Sequence, residues 1–334
     1  MAIDIKNGKL SERVAREKEA LLSAEPRIDI ERDKALWEAY TTTDGWPPAM
    51  RQAAFFYKLC TEKTIFIDDN PIAGTLTQHK YGNYPFAEIG PRWMKKMNRF
   101  RLPMGFAEVR PEEREWILKS VELWKDRNIF NRTQEMILRT KGIDIGMLQK
   151  AGIATEINPG GLISGVPDYA LVLNEGLRSL IARAKENQSK LDTGEPEALK
   201  KWYFYEAVML SLRGLIAGEA DPRKRADLER IAEACAWVPE NPARDFFEAI
   251  QSSWLVLMAG WFQSPNIGAF SPARFPQYIY PFYKKDKAMG KLTDAEAIEL
   301  IQFYMLKIQA LGQVLAPFGF KYSQSRVAMQ MSLG

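Results

Sequence analysis

Apolar residues recur at three- and four-residue spacing along most of this chain, and that periodicity restricts the fold more than any other feature, to helices packed by their apolar stripes. Pro26 breaks residues 10–40 into two predicted helices, because proline lacks the N–H that a helix interior needs. The second carries Ile28, Ile30, Leu36, Trp37 and Tyr40 on its apolar side. "DGWPP" is loop, and the helix that follows, "AMRQAAFFYKLCTEK", sets Met50, Ala53, Ala54, Tyr57 and Cys60 or Thr61 on one stripe. The period then changes. In "TIFIDDNPIAGTLT" β-branched residues flank an Asp-Asp-Asn-Pro turn, which predicts a strand pair or hairpin-like loop. "HKYGNYPFAEIGPRW" is too rich in glycine, proline and aromatics for regular helix. Helix returns in "RPEEREWILKSVELWKDRNIFNRTQEMILRTKG", where Trp116, Leu123 and Trp124 mark a buried face.

Two long loops, 155–168 and 263–277, interrupt the second half, and both carry serine, glycine and proline. Loops of that length in a compact domain tend to line binding sites. Between and after them the pattern is helical: "ALVLNEGLRSLIARAKENQSKL", "EPEALKKWYFYEAVMLSLRGLI", "DPRKRADLERIAEACAWVP", "ARDFFEAIQSSWLVLMAGWF" and a closing helical stretch to "IQAL". Asp221 followed by Pro222 predicts a helix start, residues 191–196 a solvated connector, and Thr293 with Glu296 a reciprocal cap. The stretch "SGVPDYALVLNEGL" opens as a polar turn at Ser164 and becomes a helix after Pro167. A helix start offers unpaired N–H groups and partial positive charge, so Asp168 is expected to complement the dipole rather than to catalyse.

Composition removes several chemistries. Forty-six basic and 42 acidic residues are interspersed for a net charge of +4, so no nucleic-acid footprint appears. No apolar run is long enough for a membrane span, and the charged N-terminus has no signal-peptide core, which predicts a cytoplasmic protein. A single histidine, His79, leaves no partner for a His-based metal site or a Ser-His-Asp triad. Cys60 and Cys235 fall inside helical patterns without metal-ligand spacing and are expected in the core. The glycines of "NPGGLISG" match no phosphate-loop or dinucleotide spacing, and Asp68 and Asp69, adjacent in a turn, are assigned to structure.

"SERV", "EPRIDIERDKALWEAY", "RQAAFFYKLCTEKTIFIDDNPIAGTLT", "VPDYALVLNEGL", "WYFYEAVMLSLRGLI" and "FSPARFPQYIYPFYKKD" occur in this order across almost the whole chain. Together they resemble the N-terminal part of glycyl radical enzymes related to pyruvate formate-lyase. The resemblance implies an α/β, predominantly helical fold, the N-terminal portion of a ten-stranded barrel wrapped by helices and incomplete in this chain. Residues 1–334 would be a single domain, cut before the catalytic cysteine loop and the glycyl radical domain. It implies a glycyl radical in the complete enzyme, installed by an S-adenosylmethionine-dependent iron–sulfur activating enzyme, and no cofactor or metal bound by this chain. The implied partners are a small organic acid substrate, the activating enzyme and, for the complete enzyme, a second copy in a homodimer; the alternative reading is a non-catalytic remnant or separate subunit that binds a companion chain carrying the missing cysteine and glycine.

Site residues follow by position. The histidine of a Gly-His-x-x-Pro-Asp-Tyr turn in diol dehydratases and choline lyase falls on Ser164, and their Gly-His-Ser-x-Ser turn falls on Ile267, Gly268, Ala269, Phe270 and Ser271. Hydroxyl-binding groups are thus replaced, which disfavours a hydroxylated substrate and leaves room beside Phe270 for a flat one. The substrate-pocket candidates are Ser164, Gly268, Ala269, Phe270, Ser271 and Arg274, with Arg274 expected to pair with a protein carboxylate. The branch most similar is arylacetate decarboxylation, followed by addition to fumarate. Neither "KLCTE" nor "EACAW" matches the family's Gly-Cys-x-Glu-like context, and Arg326-Val327-Ala328-Met329-Gln330 has no glycine where the radical residue is expected. No catalytic residue is therefore assigned to this chain, which alone is expected to be inactive. Between Ile216 and Asp221 only Ala-Gly-Glu-Ala stands where relatives continue a long helix, a departure expected to expose apolar surface.

Overall fold

The structure is a computed structural model that describes residues 10–64, 66, 68, 70–153, 166–219, 229–263 and 271–311. It opens with three helices, α1 (Glu12–Leu22), α2 (Glu31–Thr42) and α3 (Pro48–Glu62). Ser11 caps α1 by accepting from the Val14 N–H at 3.2 Å, and Pro48 starts α3, where a missing N–H costs nothing. Pro26 does break the first two helices, and the residues after it form a short strand, β1 (Arg27–Ile28), parallel to β2 (Gly82–Asn83). A Cβ at Gly82 would lie 2.9 Å from the Arg27 carbonyl oxygen, so only glycine lets the two backbones approach.

The apolar face of α3 differs from the predicted stripe. Ala53, Phe55, Phe56, Leu59 and Cys60 are buried, whereas Tyr57 is exposed. The helix packs against α2 and also along a later helix, so its buried face is broader than the single predicted stripe and is displaced from Tyr57. The strand pair predicted from "TIFIDDNPIAGTLT" is not formed among the described residues between Lys63 and Tyr81. Side chains satisfy that backbone instead: Asp68 and Asn70 accept from the N–H groups two residues on, at 3.2 and 2.9 Å.

A hairpin does occur further on, at 99–108, where apolar residues alternate with arginine. Strands β3 (Arg99–Leu102) and β4 (Gly105–Glu108) pair antiparallel, with Phe100, Leu102 and Ala107 buried and Arg99 and Arg101 outside. Before it, Pro91–Lys96 forms a short 3-10 turn. The long helical stretch after Arg110 divides into α4 (Pro111–Trp124) and α5 (Ile129–Lys141), because the buried Asn128 side chain caps α5 and also donates back to the Trp124 carbonyl. α5 and the short α6 (Ile145–Lys150) leave Met136, Leu138, Ile143, Met147 and Ile153 exposed.

The second half comprises α7 (Tyr169–Ser189), α8 (Pro196–Glu219), α9 (Glu229–Trp237), α10 (Phe246–Gln263), α11 (Phe275–Ala288) and α12 (Asp294–Ala310). α8 runs on past Ile216 to Glu219, and residues 220–228, with the predicted Asp221–Pro222 start, lie outside the described residues. α10 is the axis of the core: it buries Phe246, Trp254, Leu257, Trp261 and residues on every other side, which requires neighbours all round. α7 is kinked at Gly176, whose φ of 74° is open to glycine and strained for other residues. A Cβ there would sit 2.5 Å from the Glu240 carbonyl oxygen, while the freed N–H groups of Leu177 and Arg178 donate to the carbonyls of Pro239 and Glu240. Thr293 and Glu296 form the predicted reciprocal cap of α12, and Cys60 and Cys235 are both buried. Among the described residues strands amount to two pairs, so the architecture observed is helical; the ten-stranded barrel is not formed by them.

Candidate functional site

The two long loops are rooted at one place. Asp168 caps α7 by accepting from the Leu171 N–H at 3.0 Å, the structural role expected for it. The adjoining Tyr169 hydroxyl donates to the Ser271 carbonyl at 3.0 Å, joining the end of the first loop to the end of the second. Tyr278 of α11 stacks on Tyr169 at 4.9 Å between ring centroids and donates to the Pro272 carbonyl at 2.8 Å. Burial raises both phenols, so they remain neutral donors at any physiological pH.

The turn between these contacts is strained. Ala273 has φ of +50°, unusual for a residue with a Cβ, and the Ser271 hydroxyl accepts from its N–H at 3.2 Å. Arg274 then stands at the start of α11, exposed. The protein carboxylate expected for it is not found among the described residues. Ser164, Gly268, Ala269 and Phe270 lie outside the described residues; Ser271 and Arg274 are the two candidates placed, three residues apart on one turn.

Behind the turn runs an aromatic wall. Phe275 stacks on Tyr304 of α12 at 4.8 Å, and Tyr304 meets Trp254 of α10 edge-on at 6.0 Å. Trp254 Nε1 donates to the Gly74 carbonyl at 3.0 Å, and Gln251 both accepts from the Ala73 N–H and donates to the Ala73 carbonyl, at 2.8 and 3.0 Å. Gly74 itself has φ of +97°, with Met258 packed where a side chain would project.

Lys307 ends this wall. It is 4% exposed, its Nζ donates to the Gly74 carbonyl at 3.0 Å, and Asp68 lies 3.5 Å away. Burial pushes its ammonium down from the usual lysine range while Asp68 and Glu17 oppose that. Lys80 completes the group, paired with Glu17 and, at 3.0 Å, with Asp68. Asp68 is thus structural, as assigned. The recess beside these residues, lined by Thr75, Thr77, His79, Lys80, Trp254 and Lys307, has room for about one water and not for an organic substrate. Burial also holds the His79 imidazole below its ordinary value. No metal-binding group of three or more His, Cys, Asp or Glu side chains occurs among the described residues.

The sequence reading missed Lys307, although its position was informative: it falls on the buried stripe Ala297, Leu300, Tyr304, Lys307, Ile308 and Leu311, where a charge must find a partner. Arg32 was missed for the same reason. It is 1% exposed on α2, pairs with Glu88, donates Nε–H to the Phe262 carbonyl at 2.9 Å and lies over the rings of Phe55 and Phe86 at 5.1 and 4.5 Å.

The described residues define a mainly helical protein in which the ends of two long loops meet beside an aromatic wall, and comparison supplies the family. The profile described as pyruvate formate lyase-like matches residues 9–334, and the chain belongs to that family of glycyl radical enzymes. Isethionate sulfite-lyase of Nitratidesulfovibrio vulgaris is 29% identical over 94% of this chain and 41% of its own length. Indoleacetate decarboxylase of Tractidigestivibacter scatoligenes is 23% identical over 99% of this chain and 43% of its own. The solved B12-independent glycerol dehydratase of Clostridium butyricum superposes with a TM-score of 0.78 at 25% identity, over 94% of this chain and 41% of that one. The chain therefore spans about two fifths of the length of the relatives it matches. No helix among the described residues is long and apolar enough to cross a membrane.

Proposed function

We propose that this chain forms part of the protein shell of a glycyl radical lyase acting on a small organic acid. The observation that carries this is the family match along residues 9–334. The radical in such an enzyme would supply hydrogen abstraction, and the activating enzyme would install it. This chain's own residues contribute enclosure and anchorage: helices around α10 exclude water, and Tyr169 and Tyr278 fix the carbonyls of Ser271 and Pro272. Ser164, Gly268, Ala269, Phe270, Ser271 and Arg274 are the proposed substrate-facing residues, within a single domain over 1–334. Arg274, exposed and without a carboxylate among the described residues, fits an acidic group on the substrate.

Two finer reactions have support. The 29% identity to isethionate sulfite-lyase favours cleavage of a short acid with loss of a small leaving group. The replacement of hydroxyl-binding positions at Ser164, Gly268 and Ala269 favours decarboxylation of an arylacetate, with 23% identity to the indoleacetate enzyme behind it. Addition of hydrocarbons to fumarate ranks after both. The test is anaerobic isolation of the native protein with any bound companion, activation, and separate incubation with isethionate, indoleacetate and glycerol. Sulfite or skatole with a glycyl radical signal in electron paramagnetic resonance is the expected result and chooses between the two. Turnover of glycerol alone, or no radical signal after activation, overturns the proposal.

A further inference from the structure

Two phenols converge on one strained turn. Among the described residues only Phe86 and Ala273 combine a Cβ with a positive φ, and Ala273, at +50°, directly precedes the candidate Arg274. Just before it, two consecutive carbonyls are taken by a stacked tyrosine pair. Tyr169 donates to Ser271 at 3.0 Å and Tyr278 to Pro272 at 2.8 Å, with the two rings 15° from parallel. Tyr169 is the first residue of α7 and Tyr278 lies on α11, so the pair joins the end of one long loop to the end of the other. On its far side the turn is closed by Phe275, stacked on Tyr304. Pro272 and Pro276 have fixed φ and Phe275 is held in the wall, so backbone adjustment is left mainly to Ser271, Ala273 and Arg274.

A turn of this kind has to be held. The left-handed region costs a residue with a Cβ about as much as one or two hydrogen bonds contribute. The Ser271 hydroxyl accepts from the Ala273 N–H at 3.2 Å, a long bond that does not offset the strain alone. Adding two phenols does, and burial keeps both of them protonated, so their hold does not vary with pH. Helix capping does not account for the pair: Asp168 already caps α7, and α11 has no side-chain cap. We propose that Tyr169 and Tyr278 are positioning residues, which hold the 271–274 turn in its strained form and thereby set where Arg274 is presented; this rests on the reading of Arg274 as the residue that takes the acidic group of the substrate. Recognition of the acid at the second loop is then set in part by where the first loop ends.

The test uses the native protein with any bound companion, as wild type, Tyr278→Phe and Tyr278→Phe/Ala273→Gly. Phenylalanine keeps the stack on Tyr169 and removes only the hydrogen bond, and glycine accepts the positive φ without steric cost. Amide exchange, read by mass spectrometry on a peptide covering 271–275, is expected to quicken about fivefold in Tyr278→Phe and to return toward wild type in the double variant, with α10 peptides unchanged. Equal rates in wild type and Tyr278→Phe, or no return on adding glycine, overturn the proposal. After anaerobic activation, KM for whichever of isethionate or indoleacetate the wild type consumes is expected to rise about fivefold in Tyr278→Phe at nearly unchanged kcat, and to recover in the double variant. An unchanged KM beside quickened exchange overturns the positioning role and leaves the family reading standing. Wild type that consumes neither acid overturns the substrate reading and the role of Arg274 with it, while the exchange rates still decide whether the phenols hold the turn.

Discussion

Two buried charge groups flank the core, and they are finished differently. In the Lys307 group two lysines meet two carboxylates and a backbone carbonyl, and each charged side chain has at least one opposite charge beside it. In the Arg32 group one guanidinium meets one carboxylate, two aromatic faces and a carbonyl, and Arg32 Nη1 and Glu88 Oε2 have no hydrogen-bond partner among the described residues. The difference teaches what each can tolerate. A four-charge group retains a partner for most members when one is removed, whereas the Arg32 pair has no second cation among the described residues to fall back on.

Removing Arg32 is expected to have the largest consequence. Arg32→Met would strand Glu88 and uncap the Phe262 carbonyl, lowering stability by about 4 kcal/mol, read from the urea midpoint at unchanged slope. Lys307→Met is expected to cost less, about 2 kcal/mol, because Asp68 retains Lys80. Equal losses for the two variants would break the comparison. Tyr169→Phe serves as the neutral reference. It removes one hydrogen bond to Ser271 while keeping the stack on Tyr278, so about 1 kcal/mol is expected, and a loss as large as that of Arg32→Met would mean that charge is not what sets the scale.

Much of the helical order could be read from spacing, and the start of α12 from Thr293 and Glu296, whereas Pro48, read as loop, is the first residue of α3 and Ser11 caps α1. What could not be read depended on distant partners. The "TIFIDDNPIAGTLT" segment has strand-like residues, yet Gln251, Trp254 and Lys307, from helices far along the chain, take up the backbone of Ala73 and Gly74. The kink at Gly176 depends on the approach of residues 239–241, which no local pattern reveals. For the candidate site, Asp168 was read correctly from its helix-start position, while the expected carboxylate for Arg274 required knowledge of what lies across the turn. The hairpin at 99–108 is different: its alternation of arginine with Phe100 and Leu102 is present in the sequence and is legible locally as a period-two pattern.

The hydrogen bond from Tyr169 to Ser271 spans 102 residues of sequence, and it ties two segments to a common post. Lengthening or rewriting either segment would alter what it presents without moving where it is fastened. A scaffold of that kind separates where a segment is fastened from what the segment carries, so its sequence can change while the frame is left untouched.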